Sequence, residues 1–178
     1  MNIGIDICLG IPDHFPELEQ LYTEAFPSED LLPLVTKLLA ERDIVLSLAA
    51  RSDGRLVGHA LFTICGIAGQ SDDTEIQVAL LGPVAVAEAT QRQGIGSALI
   101  RAGLQRLAAN GIVQIFVLGD PGYYGRFGFH ADDRIATPFP IPRQWRAAWQ
   151  SMCLQQHQAV PPGTLTVPTL WQDPSLWS

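Results

Sequence analysis

The chain has 178 residues, 47% of them hydrophobic and 16% charged, a composition that fits a folded globular protein and argues against a disordered one. Eighteen acids against eleven bases give a net charge of −7, and Lys37 is the single lysine, which argues against non-specific nucleic-acid binding. No run of 18 apolar residues is present to span a membrane, and the opening MNIGIDICLGIPDHF has no basic start and places Asp6 and Asp13 inside what a secretory leader would need apolar.

Cys8, Cys65 and Cys153 stand far apart with no C-x-x-C pair, and their odd number argues against a disulfide framework. The expectation is a reduced, cytoplasmic protein forming one domain over residues 1–178. Residues 1–36 hold seven acids (Asp6, Asp13, Glu17, Glu19, Glu24, Glu29, Asp30) and no Lys or Arg. The remaining 11 acids balance the 11 bases, so the whole net charge sits in that first fifth.

Ile3, Ile5, Ile7 and Leu9 alternate with the period of a strand. Phe15, Leu18, Tyr22 and Ala25 then recur at helical spacing, and Leu31, Leu34, Val35, Leu38 and Leu39 predict a second helix. DIVLSLAAR and RLVGHALFTIC flank Asp53-Gly54, a tight-hairpin signal. A long strand is expected from about Thr74 to Val86, then a helix beginning near Ile95, ended by Asn110-Gly111, then the apolar strand IVQIFVL. A strand, helix and strand of this length imply parallel pairing and a right-handed crossover. Within the helix, Ile95, Ala98, Leu99 and Ala102 make one stripe and Ile100, Leu104 and Leu107 another, which predicts a helix buried between layers. Beyond residue 130 lie seven of the 13 prolines and all four tryptophans, read as irregular segments and a short strand around WQSMCL.

Between the long strand and its helix, LLGPVAVAEATQRQGIGSALI joins a Gly-Pro break to a glycine pair. A helix N-terminus offers unpartnered N–H groups and a positive dipole end, and Gly94 and Gly96 remove the Cβ atoms that would keep a phosphate away. The dinucleotide fingerprint needs a third glycine where Leu99 stands, and a Walker loop needs G-K-[ST]; neither is present. Pro83 has no N–H, so with Gly82 it favours a bulge that lets the strand leave its parallel neighbour, exposing polar groups of Val84, Ala85 and Val86 to an extended amide ligand. A pyrophosphate with a peptide-like arm fits both features, and coenzyme A has that form.

QRQGIG resembles the Q/R-x-x-G-x-G/A signature of the GNAT superfamily of N-acetyltransferases, and LGPVAVAEATQRQGIGSALI followed by VLGDPGYYGRFGF is similar to its YhbS-like branch. The resemblance is specific over residues 76–130. It implies an α/β fold with a mixed central sheet, a bulged fourth strand and helices on both faces, and acetyl-CoA as co-substrate. It implies further that the backbone of Gln91, Arg92, Gln93, Gly94, Ile95, Gly96 and Ser97 holds the pyrophosphate and that Val84 and Val86 pair with the pantetheine arm; the Arg92 side chain either adds a charged contact to phosphate or stays solvated. YYGRFGF resembles the family's Y-x-x-x-G-F element, which makes Tyr124 the acid that protonates the departing thiolate. A core tyrosine beside Phe127 and Phe129 is the alternative from residue type alone.

Relatives often carry a Glu or His base on the bulged strand, where this chain has Leu80 and Gly82; Glu75, Asp72, Glu24 and His59 are substitutes without a motif. His14, His59, His130 and His157 show no paired spacing, so no metal is expected, and no G-x-S-x-G supports a serine hydrolase. In the family the helices after the first strand border the acceptor pocket, and here they carry the acidic segment, which is either a pull on a cationic amine acceptor or a solvated helix face. The expected activity is N-acetylation of a primary amine by a monomer or homodimer. A CoA-binding sensor with little turnover and a dinucleotide-binding module remain the alternatives.

Overall fold

The computed structural model describes residues 4–69, 76–156, 158 and 160–178. Ile3, Asp72, Thr74, Glu75 and His157 lie outside the described residues. The hydrogen-bonded strand order is β1-β2-β3-β4-β5-β8-β6, with β9 joined to β3 and β7 to β9; the strands are β1 (Ile5–Leu9), β2 (Val45–Ser52), β3 (Arg55–Ala68), β4 (Val78–Val86), β5 (Gln114–Leu118), β6 (His130–Ala131), β7 (Ile135–Ala136), β8 (Trp149–Cys153) and β9 (Gly163–Thr166). The helices are α1 (Phe15–Ala25), α2 (Leu32–Ala40), α3 (Ile95–Ala109) and the single turn α4 (Pro121–Tyr124). The chain forms two compact units, one of residues 1–63 and 82–105 and one of residues 64–81 and 106–178.

In the first unit β1 pairs antiparallel with β2, and β2 with β3 from Val45–Thr63 to Ser52–Arg55. Asp53 and Gly54 both have positive φ (48° and 76°), as the predicted two-residue turn requires. Side chains alternate across β3, so its residues sort onto two faces. His59 meets Tyr22 of α1, whereas a Cβ at Gly58 would meet Ile95 and Leu99 of α3, and Phe62 fills the space a Cβ at Gly103 would take. Helices therefore cover both faces of this strand, as expected for the fold class. Leu18, Leu21 and Tyr22 are the buried stripe of α1, and Leu34, Val35, Leu38 and Leu39 that of α2.

The expectation that α3 lies between layers is corrected. Ile95, Leu99, Ile100 and Leu107 are buried, but Arg101 and Gln105 are exposed and Ala98, Ala102 and Leu104 only half-buried. The two apolar stripes merge into one broad arc, with Ala98, Ala102 and Leu104 partly wet at its edges, where the two alanines lose little. The helix stops where foreseen: Gly111 is left-handed at φ 80°, and the Ile112 N–H donates to the Leu107 carbonyl at 3.1 Å.

In the second unit β4 runs parallel to β5 from Ala79–Ile115 to Leu81–Val117, and β8 lies antiparallel to β5 and β6. The Pro- and Trp-rich end contributes β8 at the predicted WQSMC, and also β7 and β9, which pair in parallel. Trp149 stacks on Phe116 at 5.3 Å, Trp177 packs edge-on to both Trp149 and Trp171, and the indole N–H groups of Trp149 and Trp177 donate to the carbonyls of Ile135 and Trp171. The buried indoles of Trp149 and Trp177 thus have their polar ends satisfied. Asp132 pins the connection into β7: its carboxylate accepts from Gln114, Ser151 and the backbone N–H groups of Arg134 and Ile135.

Candidate functional site

β4 carries the Gly-Pro break. Its pairing with β5 ends at Leu81, the Gly82–Pro83 peptide is cis, Gly82 has φ 145°, and the strand continues to Val86. Val84 and Val86 are half-buried and Ala85 is buried. The Ala87 N–H donates to the Val57 carbonyl at 3.0 Å, and the Gln91 side chain donates to the Val86 carbonyl at 3.2 Å, so the turn after β4 is tied back onto the strand that feeds it.

The turn itself has a backbone that residue type does not reveal. Gln91 is extended (φ −60°, ψ 157°), Arg92 is left-handed at φ 61° although it carries a side chain, and Gly94 is left-handed at φ 85°. Turns that mix the two hands aim successive N–H groups into one concavity, a form that receives anions. The Ala98 N–H donates to the Gly94 carbonyl at 2.9 Å, so Ile95, Gly96 and Ser97 precede the first intrahelical donor of α3. Residues 91–94 are exposed, Gly96 is buried, Ser97 is half-buried, and Gly94 has open space where a Cβ would stand. The Ile95 side chain is 1% exposed and packs toward Gly58, so this residue offers a ligand its backbone alone. All ten residues predicted to bind the co-substrate belong to the first unit, and their arrangement fits a pyrophosphate cradle entered from a strand end.

Tyr124 belongs to the second unit. Asp120 caps α4 by accepting from the Gly122 N–H at 3.0 Å, and the Tyr124 ring packs edge-on to Tyr123 and Phe129. Gly119 makes room for it, since a Cβ there would come within 2.4 Å of the ring. Its hydroxyl has no hydrogen-bond partner among the described residues. Burial, with Tyr123 adding to it, pushes the phenol above its ordinary pKa, so the proton stays on the oxygen at neutral pH.

Leu80 is 3% exposed in the sheet, and Glu24 is exposed and accepts from Gln20 at 2.9 Å. His59 is fully buried, with both ring nitrogens engaged, and burial pushes its pKa down to about 3. With both nitrogens engaged and no ring edge exposed, it is not placed to take a proton from an amine. Among the described residues no cluster of His, Cys, Asp and Glu could hold a metal ion, and no helix is long and apolar enough to cross a membrane. Burial pushes the Cys65 thiol up to about 12, which disfavours its thiolate.

The acidic segment is less uncompensated than its composition implies. Arg51 forms a two-pronged ion pair with Glu17 at 2.7 and 3.2 Å and holds that carboxyl below its usual range. Asp30, just before α2, accepts from the Leu32 N–H at 3.3 Å. Glu29 and Asp30 stand on a cleft of about 500 Å³ between the end of α1 and the start of α2, with Tyr22, Phe26, Leu31 and Leu32 in its walls. No sequence signal announced this cleft, because it needs the helices in place.

The family profile described as Acetyltransferase (GNAT) family matches residues 15–129. Two Escherichia coli K12 proteins are similar over most of their length: the uncharacterized N-acetyltransferase YjhQ, 36% identical across 84% of this chain and 82% of its own, and the uncharacterized N-acetyltransferase YhbS, 32% identical across 74% and 80%. Among solved structures, E. coli YhbS in complex with CoA superposes with a TM-score of 0.81 at 25% identity, covering 97% of this chain and 94% of that one. A GNAT family acetyltransferase from Brucella melitensis in complex with acetyl-CoA gives 0.73 at 29% identity, covering 96% and 100%.

Proposed function

The chain belongs to the GNAT acetyltransferase family, and from that premise we propose that it is a single-domain enzyme moving an acetyl group from acetyl-CoA to a primary amine by direct attack on the thioester. The observation that carries the reading is the left-handed turn at Arg92 and Gly94 opening into the N-terminus of α3. In this reading the N–H groups of Gln91 to Ser97 hold the pyrophosphate, Arg92 adds a charged contact, and Val84 and Val86 pair with the pantetheine arm. The Val84 N–H polarises the thioester carbonyl. When bound, acetyl-CoA supplies an activated acetyl group: the C–N bond to the amine forms as the C–S bond breaks. Tyr124 gives its phenolic proton to the departing thiolate and regains one from solvent, to which the amine sheds its surplus proton, since Leu80 and Gly82 occupy the places where relatives put a base.

Release of free thiol from acetyl-CoA that depends on an added amine, measured across a broad amine panel, tests the reading. Thermal stabilisation by acetyl-CoA without turnover on any amine would instead make the protein a CoA sensor. Gly96→Val places a Cβ and two methyls at the mouth of α3, and is expected to weaken acetyl-CoA by roughly tenfold or more. The readout is the acetyl-CoA-induced shift in melting temperature. An unchanged shift in the folded variant removes the cradle from residues 91–97.

The acceptor in this reading is cationic and occupies the cleft beside Glu29 and Asp30. Changing both to their amides is expected to lower kcat/KM for a cationic amine, and the loss should shrink near 1 M salt, where the Debye length falls to about 3 Å. A rate insensitive to both changes, or an anionic best substrate, refutes this assignment.

A further inference from the structure

Behind the wall of that cleft lies a chain of buried polar side chains that the proposed reaction does not use. The Tyr22 hydroxyl meets His59 Nδ1 at 2.9 Å, and the Ser47 hydroxyl meets His59 Nε2 at 2.8 Å. Tyr22 is 1% exposed, His59 0% and Ser47 8%. A neutral imidazole offers one donor and one acceptor, and each hydroxyl can take either role, so the chain is satisfied in whichever direction the protons run. It joins α1, β2 and β3. The chain at the end of β1 is shaped around it: the Gly10 N–H donates to the Ser47 carbonyl at 2.9 Å, and a Cβ at Gly10 would come within 2.3 Å of Ser47 Oγ and 2.9 Å of His59 Nε2.

Three buried polar groups add little stability over an apolar trio, but they fix orientation, because a rotated ring would leave buried donors and acceptors unpaired. The orientation fixed here reaches the cleft. The Tyr22 ring stands edge-on to His59 at 5.7 Å and stacks on Phe26 at 5.9 Å, and both Tyr22 and Phe26 line the cleft. With its hydroxyl committed to His59 and its ring buried, Tyr22 backs Phe26, the half-buried ring of the pair that lines the cleft.

We propose that His59 is a positioning residue for the acceptor: held by Ser47, it sets through the buried Tyr22 the plane of the Phe26 ring stacked on it, against which an amine with a flat or apolar body is seated with a second cationic end toward Glu29 and Asp30. This rests on the reading of the cleft as the acceptor site. The specificity that follows is for flat diamines over small aliphatic amines.

The test uses the whole protein with p-xylylenediamine and methylamine as acceptors. Wild type is expected to prefer p-xylylenediamine, and Tyr22→Phe and Ser47→Ala are each expected to raise the KM for it roughly fivefold, about the worth of one neutral hydrogen bond. The KM for acetyl-CoA should stay within about twofold, because the co-substrate's cradle is not touched. A variant with a lowered melting temperature but unchanged diamine KM makes the network structural and overturns the proposal, as does failure of both variants to fold. Equal rise in the KM values for diamine and acetyl-CoA overturns it too. Wild type that binds acetyl-CoA yet turns over no amine sinks the underlying acetyltransferase reading, a result distinct from turnover with an unaltered KM.

Discussion

Tyr124→Phe is expected to lower kcat by about 100-fold while leaving the stabilisation by acetyl-CoA and the melting temperature almost unchanged. The phenylalanine ring keeps the edge-on contacts to Tyr123 and Phe129 and the space cleared by Gly119. What it loses is a hydroxyl that has no hydrogen-bond partner among the described residues, so removing it breaks no internal bond. A structural tyrosine in this position would hardly notice the change; a proton donor would be disabled by it. Because burial raises the phenol's pKa, the donor stays protonated through the neutral and mildly alkaline range, and the wild-type rate should show no loss from Tyr124 ionisation there. Single-turnover measurement of acetyl transfer on both proteins decides the matter, since it isolates chemistry from product release. Equal rates return Tyr124 to the role of a packed ring.

The parts of the fold that could be read in the sequence are those whose reason is local. Phe15, Leu18 and Tyr22 at helical spacing gave α1, and Asp53-Gly54 specified its turn because both positions need a positive φ. The tight turn into α3 was legible through Gly94 and Gly96, yet the left-handed Arg92 was not, since nothing in an arginine marks it for that conformation. β6 and β7 have two residues each, too short to show a period, so the C-terminal pairing stayed hidden until the strands they join were placed. Long-range partners were equally out of reach. Glu17 and Arg51 are 34 positions apart and neutralise part of an acidic segment that composition presents as unopposed. His59 was visible as a lone histidine in an apolar strand, but its meaning depends on Tyr22 and Ser47, which come from two other elements. The candidate site divides the same way: the glycine-bearing turn is local and legible in sequence, and the cleft proposed for the acceptor emerges only from assembly.

Stability is expected to fall on mild acidification, beginning well above the carboxylate range, and His59 is the cause. Its pKa is about 3 in the folded protein against 6.5 when solvated, because burial penalises the charged ring, and the nearby His14 adds to the effect. Between these values the unfolded chain binds a proton that the folded one refuses, so stability rises with pH by up to about 1.4 kcal/mol per unit. The contribution is complete above pH 6.5 and is lost as pH falls from there toward 3. At pH 5 the loss from this one group is on the order of 2 kcal/mol, a large share of a domain's usual margin. The groups facing the ring are His14, whose Nδ1 is buried without a partner, and the hydroxyls of Tyr22 and Ser47. Tyr22 is itself driven further above its ordinary pKa by burial, so it stays neutral throughout this range. The Glu17–Arg51 pair acts in a separate window: its carboxyl is held low, so its contribution is present above the ordinary value of 4.5 and lost only below it. Urea unfolding at pH 7.5, 6.5, 5.5 and 5.0, all chosen above that value, isolates the histidine term. His59→Gln should be less stable at pH 7.5 but nearly flat across the series, whereas His14→Gln should keep most of the wild-type slope. A wild-type curve that is flat from 7.5 to 5.0, or a slope that survives in His59→Gln, would mean that the buried imidazole is not the group that refuses the proton.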